Sequence, residues 1–373
     1  MLKTRDAVIE YQKTLDDTGT LIKDLDLVDP VTALYLEHQA TNEATSNKGN
    51  FLSDIITKIE IVDGSEVLYS LNLTELEALH FYKLGKVPVL FPSEWASGSQ
   101  RHGCYLLFGR YLGDQEFAID FAKFKNPQLK ITTNIAAIRA IGSAVGFATG
   151  TIKCTIVAKV MEGFSAPGKY LMAKELMSFT STATSGAEER KELPTDLVYR
   201  MLMTRHWVQQ KDIDEVTSDL KLTADADKYI PFNRKVNQLD AEAFAQFGAG
   251  RIKHDIFTQH QAAWRMLFNK EPSYTPLAWE DATPEIIGAR YFWSSEGKLD
   301  ITDNAGTTIS SDMKITGVEE GHALHASLPI PFGELMKPET WFDPSGFKKL
   351  ELVFTSGGSA GSCAIVAEQV RPN

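Results

Sequence analysis

The chain has 373 residues, which corresponds to about two domains, and carries a formal net charge of −11. The acidic balance argues against a surface devoted to nucleic acid, because such a surface needs a basic stripe. The three cysteines show neither CxxC nor Cys/His ligand spacing, so we expect neither a zinc site nor a disulfide framework. No apolar run reaches the roughly 18 residues of a transmembrane helix, so no segment is predicted to span a membrane.

Residues 1–29 form a separate N-terminal segment. The pattern of Asp6–Leu15 predicts a short, weakly amphipathic helix that contacts a neighbouring subunit or a membrane surface. Acidic side chains alternate with the basic ones in this segment, which disfavours an electrostatic membrane anchor. Subunit contact or partial order is therefore the preferred interpretation.

Most of the remaining chain has the alternating pattern of β-strands. The clearest case is Lys58–Leu71, in which Asp63-Gly64 is a typical hairpin turn. Further strand patterns occur at Thr151–Val160, Ser218–Phe232, Gly297–Ile309 and Lys348–Phe354. Short helices are predicted at Leu73–Gly85, Leu239–Gly248 and Thr258–Phe268. Many strands with few helices predict an all-β sandwich or barrel.

The sequence also indicates an internal duplication. In a helical stretch, Asn72, Glu77, Ala78, Tyr82 and Gly85 match Asn237, Glu242, Ala243, Phe247 and Gly250 at one constant spacing. Further pairs follow in the same order: Ile59 and Ile61 with Leu220 and Leu222, Phe108-Gly109 with Phe332-Gly333, Asp120 with Asp343, Leu129–Ile131 with Leu350–Leu352, and Cys154–Ala158 with Cys363–Ala367. The conserved order predicts two sandwiches of common design.

The duplication divides the chain into a first unit, 30–163, and a second unit, 195–373. Residues 164–194 are rich in Ser, Thr and charge and are interpreted as a linker. The second unit contains a long insertion, 251–320, with Trp264, Tyr274, Trp279, Tyr291, Phe292 and Trp293. We expect this insertion either to project outward and contact a partner or to form a small core of its own.

The stretch Leu328–Gly333, "LPIPFG", places two prolines in a strand-like pattern. Proline cannot donate to a β-ladder, so it is confined to edges, strand starts and bulges. We predict that Pro329 and Pro331 mark an edge at the corner that matches Phe108-Gly109, where the first unit has no proline.

The search for chemistry yields no candidate site. Of the eight histidines, only His322 and His325 are close in sequence, and in a strand their spacing puts them on opposite faces. Cys154 and Cys363 fit buried core positions, and the repeated Asp120 and Asp343 fit turn caps. The glycine-rich stretch 355–363 lacks the Lys-Ser/Thr ending of a phosphate-binding loop and predicts a hairpin. We predict no catalytic, cofactor-binding or metal-binding residue, and no enzyme.

Four stretches show a resemblance to a known family: Leu34–Pro88, Leu193–Trp207, Leu328–Gly333 and Phe342–Phe354. Together they resemble double jelly-roll major capsid proteins of tailless icosahedral viruses and phages. The resemblance implies an all-β chain of two tandem jelly-roll β-sandwiches with short helices in the loops. The first jelly roll would be 30–163 and the second 195–373.

The resemblance further implies a homotrimer whose six sandwiches form a pseudo-hexagonal unit of a virion shell. Expected partners are neighbouring capsomers, penton and minor capsid proteins, with an internal membrane surface as a further candidate, and neither a cofactor nor a specific nucleic-acid site is expected. Assembly would take place in the host cytoplasm. Two alternatives stay open: a carbohydrate-binding or carbohydrate-active protein of two β-sandwich modules, and a viral spike or receptor-binding protein.

Overall fold

A computed structural model describes residues 3–44, 50–93, 97–137, 146–208, 211–258, 277–279, 287–289, 295–302 and 313–373, with side chains described outside 253–320. No helix in this part of the chain is long and apolar enough to cross a bilayer.

The described strands are β1 (Lys3–Thr14), β2 (Thr18–Asp24), β3 (Val31–Thr41), β4 (Ile56–Asp63), β5 (Glu66–Leu71), β6 (Val89–Phe91), β7 (Ser99–Leu107), β8 (Pro127–Asn134), β9 (Lys153–Glu162), β10 (Lys169–Thr180), β11 (Glu188–Leu193), β12 (Tyr199–Trp207), β13 (Thr217–Ala224), β14 (Tyr229–Lys235), β15 (Gly250–Thr258), β16 (Leu277–Trp279), β17 (Ile287–Ala289), β18 (Ser295–Thr302), β19 (Met313–His322), β20 (Ser327–Pro331), β21 (Leu350–Ser356) and β22 (Ser362–Pro372). The described helices are α1 (Leu52–Ile55), α2 (Leu73–Leu84), α3 (Ile213–Val216) and α4 (Val236–Phe247), and short 3-10 turns lie at Phe121–Lys123, Ile135–Ala137, Leu324–Ala326 and Pro338–Thr340.

The strands form two sandwiches. In the first sandwich, the sheet β1-β9-β3-β7-β6 shares one hydrophobic core with the strands β2-β8-β4-β5. In the second sandwich, the strands β10-β22-β12-β20 share a core with the sheet β11-β21-β13-β14. Buried residues alternate with more exposed ones along strands such as β8 and β9, as in a half-buried sheet, whereas β12 and β22 are buried on both faces.

The two sandwiches repeat one topology, which confirms the predicted duplication. Strand orders β1-β9-β3-β7 and β2-β8-β4-β5 of the first sandwich correspond to β10-β22-β12-β20 and β11-β21-β13-β14 of the second. The registers also agree: His38 faces Cys154 across β3 and β9, and His206 faces Cys363 across β12 and β22. The matched cysteine-containing strands are therefore structural equivalents.

The corner after β7 and β20 repeats as predicted. The backbone N–H of Phe108 donates to the carbonyl of Thr32 at 2.8 Å, and that of Phe332 donates to the carbonyl of Arg200 at 3.0 Å. Thr32 and Arg200 occupy equivalent places in β3 and β12. Phe108-Gly109 and Phe332-Gly333 are therefore the same corner of the two sandwiches.

The repeated aspartates also have matching contacts. Asp120 accepts the N–H of Ala122 at 3.2 Å, and Asp343 accepts the N–H of Ser345 at 2.9 Å. Each carboxylate thus holds the backbone two residues ahead, which confirms the predicted turn-capping role.

The helical match was predicted two residues out of register. Helix α2 ends at Gly85 and α4 ends at Gly248, both with positive φ, so Gly248 rather than Gly250 corresponds to Gly85. The N-cap residue of α2 is Asn72, and that of α4 is Lys235 rather than Asn237. Recurring Ala, Glu and aromatic residues produced a false match because these types suit any helix.

The match of Leu129–Ile131 with Leu350–Leu352 is also displaced by two residues. Ile131 faces Ile59 across β8 and β4, and Phe354 faces Leu220 across β21 and β13. Ile131 therefore corresponds to Phe354. A two-residue shift keeps the apolar alternation intact, so the sequence pattern alone could not detect it.

Three local predictions were wrong. The predicted helix at Asp6–Leu15 is part of strand β1, which pairs along the edge of β9. The predicted linker, 164–194, contains strands β10 and β11, which pair with β22 and β21. The glycine-rich stretch 355–363 connects two different sheets and is not a hairpin. In each case long-range pairing decided the conformation.

The domain boundaries themselves stay a prediction.

The insertion, 251–320, contributes the strand order β15-β19-β18 and the small pair β16-β17. The side chains of its six aromatic residues lie outside the described part of the structure, as does most of the helix predicted at Thr258–Phe268. Outward projection and a separate core therefore both stay predictions.

One sheet connects the two sandwiches. Strand β5 of the first sandwich pairs in parallel with β10 of the second, with Ser70 opposite Lys174. The result is a continuous eight-stranded sheet with the order β2-β8-β4-β5-β10-β22-β12-β20. Met201, Met203 and Val366 of the second sandwich belong to the hydrophobic cluster of the first. The two units are thus joined both by backbone pairing and by a shared apolar core.

The equivalent buried histidines give a test of this core. Burial lowers the pKa of His38 to about 4 and that of His206 to about 3. The ring nitrogens of His206 bond the hydroxyls of Thr217 and Thr204 at 2.9 and 2.8 Å, whereas those of His38 have no hydrogen-bond partner among the described residues. We expect His38→Leu to be neutral or stabilising at pH 7, and His206→Leu to cost about 1–3 kcal/mol.

The pH dependence follows from the depressed pKa of His38. Above pH 6.5, the ordinary histidine pKa, His38 is neutral in both the folded and the unfolded state, so its ionisation costs no stability. As the pH falls towards 4, the unfolded state binds a proton at His38 before the folded state does, so the protein loses stability. The shift corresponds to about 3 kcal/mol, which His38→Leu should recover. Urea unfolding at pH 7 and pH 4.5 measures both effects, and equal behaviour of the two variants would contradict this account.

Candidate assembly interface

Both sandwiches contact helix α2. Asn72 accepts the N–H of Glu75 at 2.8 Å, and the Glu75 carboxylate accepts the N–H of Asn72 at 3.1 Å, so the helix begins with a capping box. It ends where Gly85 adopts a left-handed conformation. Every residue from Leu73 to Lys83 is buried, which is typical of a helix enclosed on all sides.

A buried charge network joins α2 to the second sandwich. The carboxylate of Glu368 on β22 accepts from the Lys83 ammonium on one oxygen and from the Arg200 guanidinium on the other. Lys83 also donates to the carbonyl of Leu107 at 3.1 Å, and Arg200 donates to that of Leu335 at 3.0 Å. Three charged side chains, almost fully withdrawn from water, are thereby satisfied by one another and by the backbone.

The ionisation of the network follows from this geometry. Burial lowers the pKa of Lys83 to about 8, although the attraction of Glu368 opposes the shift. Burial alone would raise the pKa of Glu368, but the charges of Arg200 and Lys83 hold it below its ordinary value. The Glu368 carboxylate therefore remains ionised, as the bridge between two cations.

A second polar contact lies one and a half turns earlier on α2. One oxygen of Glu77 is 2.8 Å from His102 Nδ1 of the first sandwich, and the other is 2.5 Å from His325 Nε2 of the second. Burial raises the pKa of Glu77, but the two histidines outweigh it and lower the value to about 2. A single ionised carboxylate thus bridges rings from both sandwiches.

Tyr82 adds an aromatic contact to the same helix. Its hydroxyl donates to the carbonyl of Ser327 at 2.7 Å, and its ring lies 5.0 Å from the ring of Phe247 at the end of α4. The end of α2 is therefore fixed to two separate elements of the second sandwich.

Side chains of α2 also protect the end of β7 that lies beyond its pairing with β6. The N–H of Tyr105 donates to His80 Nδ1 at 2.8 Å, and the carbonyl of Leu107 accepts from Lys83. The register of the corner makes Pro329 and Pro331 the equivalents of Tyr105 and Leu107. The first sandwich covers its edge with helix side chains, whereas the second removes the edge donors with proline.

Strand β20 is the outermost strand of the eight-stranded sheet, which confirms the predicted edge at Leu328–Gly333. At the places of His80 and Lys83, helix α4 carries Ala243 and Gln246. These smaller side chains leave a groove of about 320 Å³ between α4, β14 and β20. In the first sandwich, the side chains of His80 and Lys83 on α2 reach the equivalent strand β7.

Helix α4 is far more exposed than α2. Its buried residues are Val236, Leu239, Asp240 and Ala243. The residues of α2 that face the second sandwich include Glu75, Tyr82 and Lys83, and their counterparts on α4 are exposed: Gln238, Ala245 and Gln246. Phe244 is also 42% exposed, whereas its counterpart Phe81 is 1% exposed. The helix face that is covered in the first sandwich is therefore open in the second.

Among the described residues, the remaining polar side chains contact separate partners. His322 bonds Asp240 at 3.2 Å while His325 bonds Glu77, so the two neighbouring histidines contact different acids. No group of three potential metal ligands occurs among the described residues. Cys154 and Cys363 are buried, as predicted, and burial raises the pKa of Cys363 to about 11.

No protein-family model matches the sequence, and no curated protein matches it either. Several solved structures nevertheless share its fold over nearly the whole length. One is the major capsid protein of Sulfolobus turreted icosahedral virus, with a TM-score of 0.62, 10% identity, and coverage of 99% of this chain and 96% of that chain. Bacteriophage PM2 major capsid protein P2 gives 0.53, 9% identity, and coverage of 100% and 98%.

A chain of the PBCV-1 virus capsid is also similar, with a TM-score of 0.56, 9% identity, and coverage of 99% of this chain and 94% of that chain. At these identities the likeness establishes the fold. The chain is a double jelly roll, built as two tandem β-sandwiches with short helices in the loops, which confirms the fold class predicted from the sequence. This fold is the one seen in these viral major capsid proteins.

The charge network gives a direct test of how the two sandwiches are held together. We expect Glu368→Gln to destabilise the protein by about 3–5 kcal/mol, because Lys83 and Arg200 would remain buried without a counter-charge. Urea unfolding at pH 7 measures the loss. The matched control is Glu162→Gln at an exposed strand end, for which a change within about 0.5 kcal/mol is expected. Equal stability of the two variants would contradict a structural role for the network.

Proposed function

We propose that this chain is a structural major capsid protein whose homotrimers form pseudo-hexameric units of an icosahedral virion shell. The observation that carries the proposal is the unequal burial of two equivalent helices. Helix α2 is enclosed by the second sandwich of its own chain, while α4 presents the corresponding face to solvent. A second chain is the natural occupant of that open face, because each chain already contains the surface that covers such a helix.

The covering surface of the second sandwich is the outer face of its sheet β10-β22-β12-β20, which includes Met203 and Val366. The equivalent face of the first sandwich presents Tyr35, Val157 and Lys159 at partly exposed positions. We infer that α4 of one protomer packs on this face of the next. If the arrangement within a chain is repeated between chains, the contact joins two different surfaces and is therefore heterologous. Closure after three chains would give a ring of six sandwiches.

The proposed contact between chains is less charged than the contact within a chain. Lys83 corresponds to Gln246, and the anion Glu368 corresponds to the cation Lys159. A glutamine loses less on burial than a lysine, which would need a counter-charge, and Lys159 already has one in Asp6 at 2.8 Å. This difference fits a surface that is first exposed to water and then covered during assembly.

The proposal extends to partners and location. Neighbouring capsomers, penton and minor capsid proteins would contact the outer sides of the trimer, and an internal membrane surface is a further candidate. The protein would reside in the virion after assembly in the host cytoplasm, and the shell role requires no catalysis. The carbohydrate alternative depends on aromatic side chains of 251–320 that lie outside the described structure. The spike alternative has less support, because the similar structures named above are of capsid proteins.

The trimer can be tested at an exposed helix position. We expect the purified protein to have the mass of a trimer, and Ala245→Arg to shift it to monomers because the larger cation would be forced into the covered face. Mass photometry and light scattering after size exclusion measure the mass, and thermal unfolding checks that the monomer is intact. Ala360→Arg, at an exposed alanine in the loop before β22, should remain trimeric. A wild-type protein that is monomeric at micromolar concentration would overturn the proposal.

A further inference from the structure

Among the described strands, one pairing joins the two sandwiches. At this seam β5 runs parallel to β10, with Ser70 opposite Lys174. Tyr170 on β10 also donates from its hydroxyl to the carbonyl of Leu68 at 3.5 Å, on the same side of β5. The seam turns two four-stranded halves into one sheet, so it is the point at which one sandwich continues into the next.

The duplication identifies the strands that would form the same seam a second time. Strand β5 corresponds to β14, since both are the outer partners of equivalent strands β4 and β13. Leu71 faces Ile59 on β4, and Arg234 faces Leu220 on β13. Because Ile59 and Leu220 are equivalent, Arg234 is the counterpart of Leu71, and the preceding residue Asn233 is the counterpart of Ser70.

The other side of the seam is fixed in the same way. Strand β10 corresponds to β1, since they pair with the equivalent strands β22 and β9. Lys174 faces Ala367 on β22, and Ala7 faces Ala158 on β9. Because Ala367 and Ala158 are equivalent, Ala7 is the counterpart of Lys174. The equivalent of the Ser70–Lys174 pair is therefore Asn233–Ala7.

Both of these strands have an open edge in the described part of the chain. Strand β14 is outermost in its four-stranded sheet, and β1 is outermost in its five-stranded sheet. Each edge carries exposed apolar side chains: Tyr229 and Ile230 on β14 are 48% and 44% exposed, and Val8 and Tyr11 on β1 are 62% and 76% exposed. Unpaired edges with exposed apolar residues favour pairing with another chain.

The backbone of β14 is oriented for such pairing at Asn233. The N–H and C=O of one strand residue point to the same side, and the side alternates with each residue. Pro231 has no N–H to donate to β13, so it suits a position that faces the open side. Asn233 lies beyond the register irregularity between Phe232 and Tyr229, and its equivalence with Ser70, which is opposite Lys174 of β10, places it on the side where the second seam would form.

We propose that β14 of one protomer pairs in parallel with β1 of the next, with Asn233 opposite Ala7. The sheet β11-β21-β13-β14 then continues into β1-β9-β3-β7-β6 of the neighbouring chain, as β5 continues into β10 within a chain. This inference rests on the proposed trimer and names the backbone contact that closes it. Three seams within chains and three between chains would link all six sandwiches.

Disulfide trapping tests this register. The variant carries Ala7→Cys and Asn233→Cys, and adjacent strands about 4.8 Å apart lie within the Cα separation that a disulfide needs. The three native cysteines are buried, so they should contribute little background. Mild oxidation should convert most chains to the masses of covalent dimers and trimers on a denaturing, non-reducing gel, and reduction should reverse the change.

Two controls make the result specific. The variant with Ser70→Cys and Lys174→Cys should form its disulfide within one chain and keep the monomer mass, which shows that this seam geometry can be trapped. Each single variant, Ala7→Cys or Asn233→Cys, should stay largely monomeric on the gel. Cross-linking of the single variants to the same extent as the double variant would overturn the proposed register.

The native mass, measured on the unoxidised double variant and on the wild-type protein, separates the two proposals. A trimer in which Ser70→Cys/Lys174→Cys is trapped but Ala7→Cys/Asn233→Cys is not would overturn the strand pairing and leave the trimer standing. A wild-type protein without a trimer would overturn the proposed function and the pairing together. Both proposals are supported if the protein is a trimer and if, of these variants, only Ala7→Cys/Asn233→Cys becomes cross-linked between chains.

Discussion

The structure depends on one constraint: helix α2 has no solvent-exposed side and must be satisfied by two sandwiches at once. Its apolar residues fill the first core, and Glu77 and Lys83 need partners from the second sandwich in addition to those that the first supplies. Lys83 finds its counter-charge in Glu368, and Glu77 divides its carboxylate between His102 and His325. A buried pair of this kind adds little net stability compared with apolar packing, but it costs several kcal/mol to separate. The network therefore specifies how the sandwiches are placed more than it strengthens either one.

Apart from the insertion 251–320, the two copies differ at the helix face and the sheet edge. The core pairs are kept, including a histidine opposite a cysteine in each sandwich. The helix face and the sheet edge are not kept. One copy has His80 and Lys83 against a free edge, and the other has small side chains beside two prolines. Two copies of one fold thus differ in whether the helix face is covered inside the chain or left open.

Much of the fold could be predicted from the sequence because alternation reports the buried face of a strand. The hairpin at Asp63-Gly64 was predicted correctly for that reason, whereas the equivalence of Phe108 with Phe332 followed from the order of the repeated segments. Strand β1 was predicted as a helix because its pattern is weak and its conformation is set by pairing with β9. The helix match failed by two residues because composition, unlike the caps at Gly85 and Gly248, does not fix a register.

The interface itself was beyond sequence reasoning. Lys83, Arg200 and Glu368 are far apart along the chain, and no short motif connects a helical lysine to a glutamate on the last strand. Isolated charged residues are usually solvated, so their burial becomes visible only when the sheets are in place. The buried ionisable groups of this network pair with one another and thereby join the two halves.

The protection of the two strand edges also differs in when it can operate. In the second sandwich the prolines of β20 are part of the chain itself, so that edge lacks its donors from the moment it is synthesised. In the first sandwich the edge of β7 depends on α2, and the cation of α2 gains its carboxylate only when β22 has emerged. Synthesis proceeds from the N-terminus, so the first sandwich must wait for the second before its helix is fully compensated. The first sandwich, which is synthesised earlier, is therefore exposed to unwanted association for longer. This exposure ends only when the second sandwich has been synthesised.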